Sequence, residues 1–595
     1  MIDIKAYVKK TKLWKSIFRH DFSDTPRTRL LRVFGNVFLH LHPVRIAKDA
    51  IRVTYTWGLG GISFYLFLVL TVTGILLMFY YRPASILAYQ DMKDLAFAVT
   101  LGGLLRNMHR WSAHLMVVAV IFHMVRVFLT GAYKPPREYN WVVGVLLLVM
   151  TLFLSYTGYL LPWDQLALWA VTVGAQMAAN SPMLGNEGPF KLPFITASND
   201  ARFGLIGGTV IGDATLIRFY VLHCIAVPFI FAIFLCVHLW RVRKDSFSVQ
   251  TGEKVDVWPH LVSRELLAAM LMTVILLVWS LLLNAPLESQ ANLNVTPNPS
   301  KAPWYFLGLQ ELLVYFDPWI AGVVLPTLIV VGLMAIPYVD INPKGVGTWP
   351  KMRLSRGGWV SVDRSFAVSV FMLGTIMWFV LIFIGQYCRG PNWEWYWPWE
   401  QWSHRRLTKL TLKNIPNLWG LALMGSYFLA GTPIPKPAKE KIASIAGPGG
   451  PAKFSAALHF GLGAAMAIAL FMPILIAPDA DYPMRSKYPT LFESLGRAIN
   501  APVVSAMYRL VQQAGPAAGY AVIAGLIAAV AGILGTLGMA FAKFKDQMYE
   551  QLGPVKYAIV MALFLMMMGV LGKIVLRLLF GIKYLFSLPM FNFNI

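Results

Sequence analysis

The chain contains 595 residues, of which 57% are hydrophobic and only 13% are charged, and its net charge is +24. Soluble domains carry about 25% charged residues, so this composition excludes an ordinary soluble fold and predicts a protein with many membrane spans. The positive charge would suit nucleic acid, but Lys and Arg cluster beside the apolar runs, and we expect no nucleic-acid partner.

The first 57 residues form a basic segment that carries twelve Lys or Arg and four Asp. Positive residues beside membrane spans favour the cytoplasmic side, so residues 1–57 are predicted to lie in the cytoplasm. The segment has no apolar core of the kind that a cleaved signal peptide needs. We therefore expect a multi-pass protein of a bacterial inner membrane or an equivalent energy-transducing membrane.

Apolar runs long enough to cross a bilayer recur along the rest of the chain. They predict an all-α, polytopic transmembrane bundle of about 10–11 spans, in which residues 58–245 form a four-helix core. A shorter run near 417–434 is the eleventh span. The ten full-length runs lie near 60–81, 111–131, 141–160, 219–241, 264–284, 319–339, 366–386, 456–477, 517–541 and 555–580.

Four histidines lie in the second and fourth spans, where an ionisable side chain indicates function. His109 and His123 are 14 residues apart, and His223 and His238 are 15 apart. At about 100° and 1.5 Å per residue, each pair returns to nearly one helix face roughly 21–23 Å further on. A lone histidine there is more often a packing contact, but four at these spacings predict two bis-histidine haem b sites.

The count of spans makes the second and fourth helices parallel, which fixes how the histidines pair. His109 pairs with His223 toward the outer side, and His123 pairs with His238 toward the inner side. Two stacked haems would then carry electrons across the membrane. The three cysteines form no CxxC or CxxCH motif, so the sequence predicts no covalently attached haem of the c type.

Glycines in the first and third spans repeat the histidine spacing. Gly60 and Gly74 are 14 residues apart, and so are Gly144 and Gly158. Glycine in a helix costs about 1 kcal/mol relative to alanine. We interpret these glycines as room for flat macrocycles, with small-residue helix packing as the alternative. Four arginines near the ends of the second span are predicted to bind haem propionates or to anchor the span: Arg106, Arg110, Arg126 and Arg137.

The later part of the chain is less informative. Residues 246–435 contain further spans and a polar loop, and the Lys/Pro/Gly-rich stretch 436–455 predicts a linker. Residues 456–595 add two or three spans of unknown role, which would serve to dock a partner or to face lipid.

Several motifs of the first four spans, taken together, indicate a family. The stretches YTWGLGGISFYLFLVLTVTGILLMFYYRP, HRWSA, LTGAYKPPRE, TGYLLPWDQLALWAV and RFYVLH resemble cytochrome b of the Rieske/cytochrome b complexes, over roughly residues 35–435. The 15-residue histidine spacing and the PWD sequence at 162–164 are more similar to the bf type. The long, fused chain is more similar to the bc type, and CRGPNWEWYWPWEQW is similar to cytochromes b that oxidise menaquinol.

The resemblance implies a quinol:cytochrome c oxidoreductase subunit that oxidises quinol at the outer face. One electron would pass to a Rieske iron–sulfur protein and a cytochrome c-type subunit, and the other to an inner quinone site, with proton translocation and a dimeric complex. The outer pocket would contain Pro162, Trp163, Asp164, Pro303, Trp304 and Tyr305. The inner site would contain Arg243 and Lys244.

Two positions depart from the family pattern. The outer motif is usually Pro-Glu-Trp-Tyr, whose glutamate is thought to accept a quinol proton, but Pro303 stands there in this chain. Glu311, about two helical turns further on, is the expected replacement, with Glu288 and Asp164 as alternatives, unless Glu311 merely forms a salt bridge. Gly58 replaces the cysteine that tethers an extra haem in the bf type, so no such haem is expected.

Two other functions share some of these features. A di-haem membrane anchor of a quinone-linked dehydrogenase would carry similar histidine helices but would lack the PWD and APWY segments. A transporter whose histidines relay protons would be colourless, whereas the haem interpretation predicts two haem b per chain.

Overall fold

The computed structural model describes residues 7–595 except 9, 12–13, 15–23, 37–38, 209, 250–251, 356–357, 362–363, 403–412, 477–501 and 581. Among these residues, nine helical runs are long and apolar enough to cross a membrane. The prediction of an all-α polytopic bundle is confirmed.

The helices of the amino-terminal half are numbered in chain order. They are α1 (Pro26–Gly35), α2 (Val53–Thr56), α3 (Leu59–Met78), α4 (Ala88–Phe97), α5 (Gly102–Leu129), α6 (Glu138–Leu160), α7 (Gln165–Ala179), α8 (Ala201–Ile206), α9 (Asp213–Val221), α10 (Val227–Asp245) and α11 (Val257–Leu282). A π turn, Leu222–Ala226, joins α9 to α10 into one span.

The second half continues the numbering. Its helices are α12 (Trp304–Tyr315), α13 (Leu325–Val339), α14 (Ser365–Tyr387), α15 (Asn417–Ala430), α16 (Lys436–Ala446), α17 (Gly450–Ile476) and α18 (Pro502–Phe580). A second π turn, Ile320–Val324, precedes α13. The stretch predicted as a linker is therefore largely helical, because α16 occupies its first eleven residues.

Strands are short and join loops at the ends of the bundle. Three pairs are antiparallel: Arg45–Ala47 with Lys254–Asp256, Met352–Ser355 with Gly358–Ser361, and Ser587–Leu588 with Phe593–Asn594. Lys413–Asn414 pairs in parallel with Ile582–Tyr584, which attaches the end of the chain to the loop before α15. Short 3₁₀ turns occupy Leu39–Leu41, Lys48–Ile51, Pro391–Trp393 and Pro589–Phe591.

The centre of the four-helix core is packed by aliphatic and aromatic side chains from five spans. Leu66 of α3, Met116 of α5, Val143 of α6, Phe231 of α10 and Leu276 of α11 lie in one buried cluster. The histidines of these spans lie further along the helices, on either side of this central layer. We call the end formed by residues 161–212 and 283–304 the loop face, and the end formed by residues 39–58 and 246–257 the amino-terminal face.

The longest helical run, α18, reverses direction and therefore supplies two arms. Tyr549 and Tyr557 are eight residues apart, which spans about 12 Å in a straight helix, yet their ring centroids are 5.2 Å apart. Gly553 between them adopts φ +71°, a left-handed conformation that glycine tolerates and other residues rarely adopt. The runs near 517–541 and 555–580 therefore belong to opposite arms of this hairpin.

The α18 hairpin is tied to the carboxyl end of α15 by polar side chains. Lys545 Nζ donates to the carbonyl of Thr432 at 2.7 Å, and the Tyr557 hydroxyl donates to the carbonyl of Gly431 at 2.5 Å. Gly431 is the buried C-cap of α15, and the last carbonyls of a helix have no partner within the helix, so Tyr557 satisfies a group that would otherwise be left unpaired. The hairpin is thus an integral part of the fold.

Candidate functional site

The four span histidines form two ring pairs inside the bundle. The ring centroids of His109 and His223 are 6.2 Å apart, and those of His123 and His238 are 6.5 Å apart. Two imidazole nitrogens that bind one metal at about 2 Å each would hold their rings at roughly this separation. The structure therefore brings the histidines together in the pairs expected from the sequence.

A local distortion explains the unequal spacing of the two histidine pairs. His223 lies in the π turn Leu222–Ala226, and Pro228 follows it. Proline has no backbone N–H and crowds the carbonyl four residues earlier, which favours an extra residue in the turn. The extra residue adds length without a matching rotation, so 15 residues in this helix turn through about the same angle as 14 in a regular α-helix such as α5.

Each of the four spaced glycines faces one of the four imidazole rings. A Cβ atom on Gly60 would lie 3.3 Å from Cε1 of His123, and one on Gly74 would lie 3.2 Å from Cε1 of His109. The corresponding atoms on Gly144 and Gly158 would meet the rings of His238 and His223, and the contact at Gly158 is the closest. The glycines thus leave space for the imidazole rings. From the sequence, we expected them to leave space for the haem macrocycles instead.

Hydroxyl groups orient the two rings nearest the loop face. Thr73 Oγ1 lies 2.9 Å from Nδ1 of His109, and Thr157 Oγ1 lies 3.3 Å from Nδ1 of His223. The carbonyl of Leu154 is 3.1 Å from the same Nδ1 of His223. A partner at Nδ1 fixes the ring and leaves Nε2 for a metal, as is usual for metal-binding histidines. No motif or spacing in the sequence indicated a role for these threonines.

The arginines of the second span divide into two groups. Arg110 and Arg126 each keep a buried Nε that has no hydrogen-bond partner among the described residues, and such a group suits an anionic ligand. Arg106 differs, because its two terminal nitrogens donate to the carbonyls of Ala285 and Pro286 at 2.7 Å. Arg137 also donates from Nε to the carbonyl of Ala132, at 3.0 Å, while its Nη1 is buried and has no hydrogen-bond partner among the described residues. Arg106 and Arg137 therefore hold loops.

At the loop face, the PWD segment is fixed by backbone hydrogen bonds. Asp164 caps α7 by accepting from the amide of Ala167 at 2.8 Å, and its other oxygen accepts from the amide of Glu288 at 3.2 Å. Burial raises the pKa of Asp164 above the usual range of an aspartate. Beside it, Trp163 has φ 51°, a conformation that non-glycine residues seldom adopt outside constrained turns. The segment is a rigid wall in which the carboxylate already has two partners.

The APWY segment begins α12 and faces the same end of α5. The indole N–H of Trp304 donates to Nδ1 of His114 at 2.8 Å, and the Tyr305 ring centroid is 5.9 Å from that of His114. Burial raises the pKa of Tyr305 to about 12, so its hydroxyl stays neutral. Tyr159 lies close by, with its ring centroid 4.5 Å from the Arg110 guanidinium carbon. Aromatic, imidazole and guanidinium groups therefore meet next to the His109–His223 pair.

Glu311 does not lie free in this cluster, in contrast to its expected role. It is fully buried and accepts from Arg389 Nη2 at 2.5 Å and Nε at 3.0 Å, from the Tyr315 hydroxyl at 2.7 Å and from the indole of Trp393 at 3.1 Å. Both carboxylate oxygens are therefore engaged by donors of the protein itself. The salt-bridge alternative describes Glu311 better than the general-base interpretation.

Near the amino-terminal face, the two expected cations are also engaged. Arg243 donates to the carbonyl of His40, and Lys244 lies 5.1 Å from the ring centroid of Trp240. His42 and Glu265 form a pair nearby that was not predicted from the sequence. Nε2 of His42 is 3.3 Å from a carboxylate oxygen of Glu265. A Cβ on Gly61 would lie 3.7 Å from Glu265 Cγ, and the neighbouring Gly60 contacts His123. The pair is thus close to the inner histidine site.

Comparison with known proteins agrees with this arrangement. The family model described as Cytochrome b/b6/petB matches residues 47–246. Cytochrome b6 of Synechococcus sp. (strain JA-3-3Ab) is 41% identical over 198 residues, which is 33% of this chain and 86% of the relative. Cytochrome b6 of Prochlorococcus marinus (strain MIT 9303) is 40% identical over 197 residues, covering 33% of this chain and 84% of the relative.

The similarity in structure extends further along the chain than the similarity in sequence. A solved structure titled "Hyperthermophilic respiratory Complex III" matches with a TM-score of 0.50 and 22% identity, and the match covers 64% of this chain and 91% of that one. At this identity the match supports the fold alone.

Fold and site define a multi-pass, haem-binding electron-transfer protein of the membrane. The chain belongs to the cytochrome b/b6 family, since its relatives are about 40% identical over most of their length. It binds haem b and is a core subunit of a quinol oxidoreductase of the bc/b6f type, within a multi-subunit membrane complex.

Proposed function

We propose that the chain is the two-haem core of a proton-translocating quinol:cytochrome c oxidoreductase. The observation that carries this proposal is the presence of two imidazole pairs, one toward each face, in which each ring is faced by a glycine of α3 or α6. Two metal-binding pairs about 21 Å apart along α5 suit transfer of electrons across the membrane. Both haems are of the b type, and no haem is attached covalently to this chain.

Each haem, when bound, supplies a one-electron carrier. His109 with His223, and His123 with His238, would hold the iron atoms. Arg110 and Arg126 each offer an unpaired, buried N–H that would bind a propionate. The glycines keep the rings in place because a side chain at those positions would displace the imidazoles.

Quinol oxidation takes place at the loop face, which is the outer side of a bacterial inner membrane. The pocket there is bounded by the PWD segment and by Trp304 and Tyr305, and menaquinol is the expected substrate. One electron passes to a Rieske iron–sulfur protein and then to a cytochrome c-type subunit, and the other crosses the membrane. The complex is a homodimer.

The inner quinone site lies near the amino-terminal face, which is cytoplasmic. His42 and Glu265, 3.3 Å apart, serve it better than Arg243 and Lys244, whose charged groups already contact protein. An imidazole beside a carboxylate can take a proton from the cytoplasm and pass it to a reduced quinone. Proton release outside and uptake inside then follow from the positions of the two quinone sites.

The proposal is tested on the purified complex. The reduced protein should show a b-type α band with two haems per chain, and the complex should contain a Rieske protein and oxidise a naphthoquinol with a cytochrome c as acceptor. His109→Ala and His223→Ala should remove the same component of the redox titration, whereas His123→Ala should remove the other. A single haem per chain, or loss of one component by both His109→Ala and His123→Ala, would contradict the two-site assignment.

A further inference from the structure

A histidine of the second span that binds no metal lies between the haem-bearing core and the APWY segment. His114 is five residues beyond His109, so its side chain points about 140° away from the haem ligand. Its ring is next to Tyr305, at 5.9 Å between centroids, and next to Trp111, at 5.6 Å. The ring therefore packs against the APWY segment, which bounds the loop-face quinol site of the proposed function, on which this inference rests.

The hydrogen bond from Trp304 determines the protonation pattern of this ring. An indole N–H can only donate, so Nδ1 of His114, 2.8 Å away, must be the acceptor. In a neutral imidazole the other nitrogen then carries the proton. Nε2 of His114 is thus an N–H donor, and it has no hydrogen-bond partner among the residues that the structure describes.

Two of the carboxylates that were expected to serve the loop-face pocket are already engaged. Glu311 is bound by Arg389, and the two oxygens of Asp164 accept from backbone amides. Pro303 has neither an acidic side chain nor a backbone N–H. A quinol in this pocket presents two hydroxyl oxygens that need partners when they leave water, and the Nε2 donor of His114 is suited to one of them.

We propose that His114 is a quinol-binding residue of the loop-face site, donating a hydrogen bond from Nε2 to one oxygen of the quinol head group. Trp304 holds the ring in the tautomer and orientation that this bond requires. A neutral donor favours the oxygen atom as negative charge develops on it. This inference rests on the proposed quinol oxidation, and it assigns His114 a role in binding rather than in accepting the proton.

The test measures quinol oxidation by the intact complex with 2-methyl-1,4-naphthoquinol. His114→Phe, which keeps a flat ring but has no donor, should raise KM about tenfold with both haem spectra intact. His114→Gln, whose amide can accept from Trp304 and donate to the quinol, should recover most of this loss. His260→Phe is the matched control, because it makes the same exchange at an exposed position near the amino-terminal face, and its KM should equal that of the parent.

Trp304→Phe distinguishes a His114 that binds quinol from a His114 that only supports the APWY segment. It removes the anchor but leaves the imidazole, so KM should rise two- to threefold, less than in His114→Phe. Provided that the parent complex oxidises quinol, the inference is overturned if the two substitutions raise KM equally or if His114→Phe has the same KM as the parent. A parent complex that does not oxidise quinol would instead overturn the proposed function and this inference with it. If His114→Phe loses its haem spectrum, His114→Met carries the same test, because methionine adapts to irregular space.

Discussion

The buried ion pair between Glu311 and Arg389 gives the sharpest test of how the loop-face pocket is held in place. The side chain of Glu311 is completely buried and that of Arg389 is 6% exposed. Glu311→Gln keeps the size of the side chain but removes its charge and turns one acceptor into a donor that faces the guanidinium. The cation of Arg389 would then be left without its counter-ion inside the protein.

Removal of one partner from a buried pair usually destabilises a protein by about 3–5 kcal/mol. Total stabilities are about 5–15 kcal/mol, so Glu311→Gln should lower the free energy of unfolding by a large fraction. The value is measured by detergent-induced unfolding followed by circular dichroism. Quinol oxidation should fall as well, because α12 carries both Glu311 and Tyr305.

Two further variants decide the reason for the loss. Replacement of both partners, as in Glu311→Leu with Arg389→Met, should restore most of the stability, since apolar pairs of similar volume often replace buried ion pairs without loss. Glu253→Gln removes an exposed partner of Lys48 and should change little. Our reasoning is refuted if Glu311→Gln is as stable as Glu253→Gln yet slows quinol oxidation at least tenfold, which would make Glu311 a proton acceptor.

Three other predictions address the haem site, the extension and pH. Gly158→Ala should abolish one of the two haem components in the redox titration or shift its potential. Gly425→Ala, whose added Cβ has nothing within 4 Å, should leave both haem components unchanged. The prediction fails if the two variants give the same titration. Lys545→Met should lower the free energy of unfolding by about 1–3 kcal/mol because it removes the hydrogen bond from the buried Lys545 ammonium to the carbonyl of Thr432, whereas the exposed control Lys543→Met should not. Since burial raises the pKa of Asp164, the folded state binds this proton more tightly than the unfolded state. The stability of the parent relative to Asp164→Asn should therefore be highest below the ordinary pKa of an aspartate and should fall as pH rises through the raised pKa; an equal difference at pH 3 and pH 8 would argue against it.

The sequence was most informative where function imposes a spacing along a regular helix. His109 and His123 repeat at an interval that a period of 3.6 residues converts directly into one face. The count of spans, which makes the second and fourth helices parallel, then allowed the pairing to be inferred without coordinates. The matching glycine spacing could also be recognised in the sequence, although only the structure showed that Gly158 faces an imidazole ring. Predictions from spacing depend on a regular α-helical backbone. The backbone is not regular at His223, because this residue lies in a π turn.

Contacts between distant segments could not be predicted in the same way. Glu311 and Arg389 are 78 residues apart, and nothing in either local sequence indicates the other. The same holds for Arg106, whose carbonyl partners are about 180 residues away. An unpaired charge in a sequence can be a functional group or half of an ion pair, and only the tertiary fold distinguishes the two.

The absence of a glutamate at position 303 therefore changes the distribution of roles around the pocket. The nearest downstream carboxylate, Glu311, is committed to Arg389 and positions α12, so it cannot replace the missing acid without losing that contact. His114 has an unpaired N–H but, while bonded to Trp304, cannot accept a proton at Nδ1. Binding of the quinol and acceptance of its proton must consequently rest on different groups, and Asp164, whose pKa is raised by burial although both of its oxygens accept from backbone amides, remains a candidate acceptor.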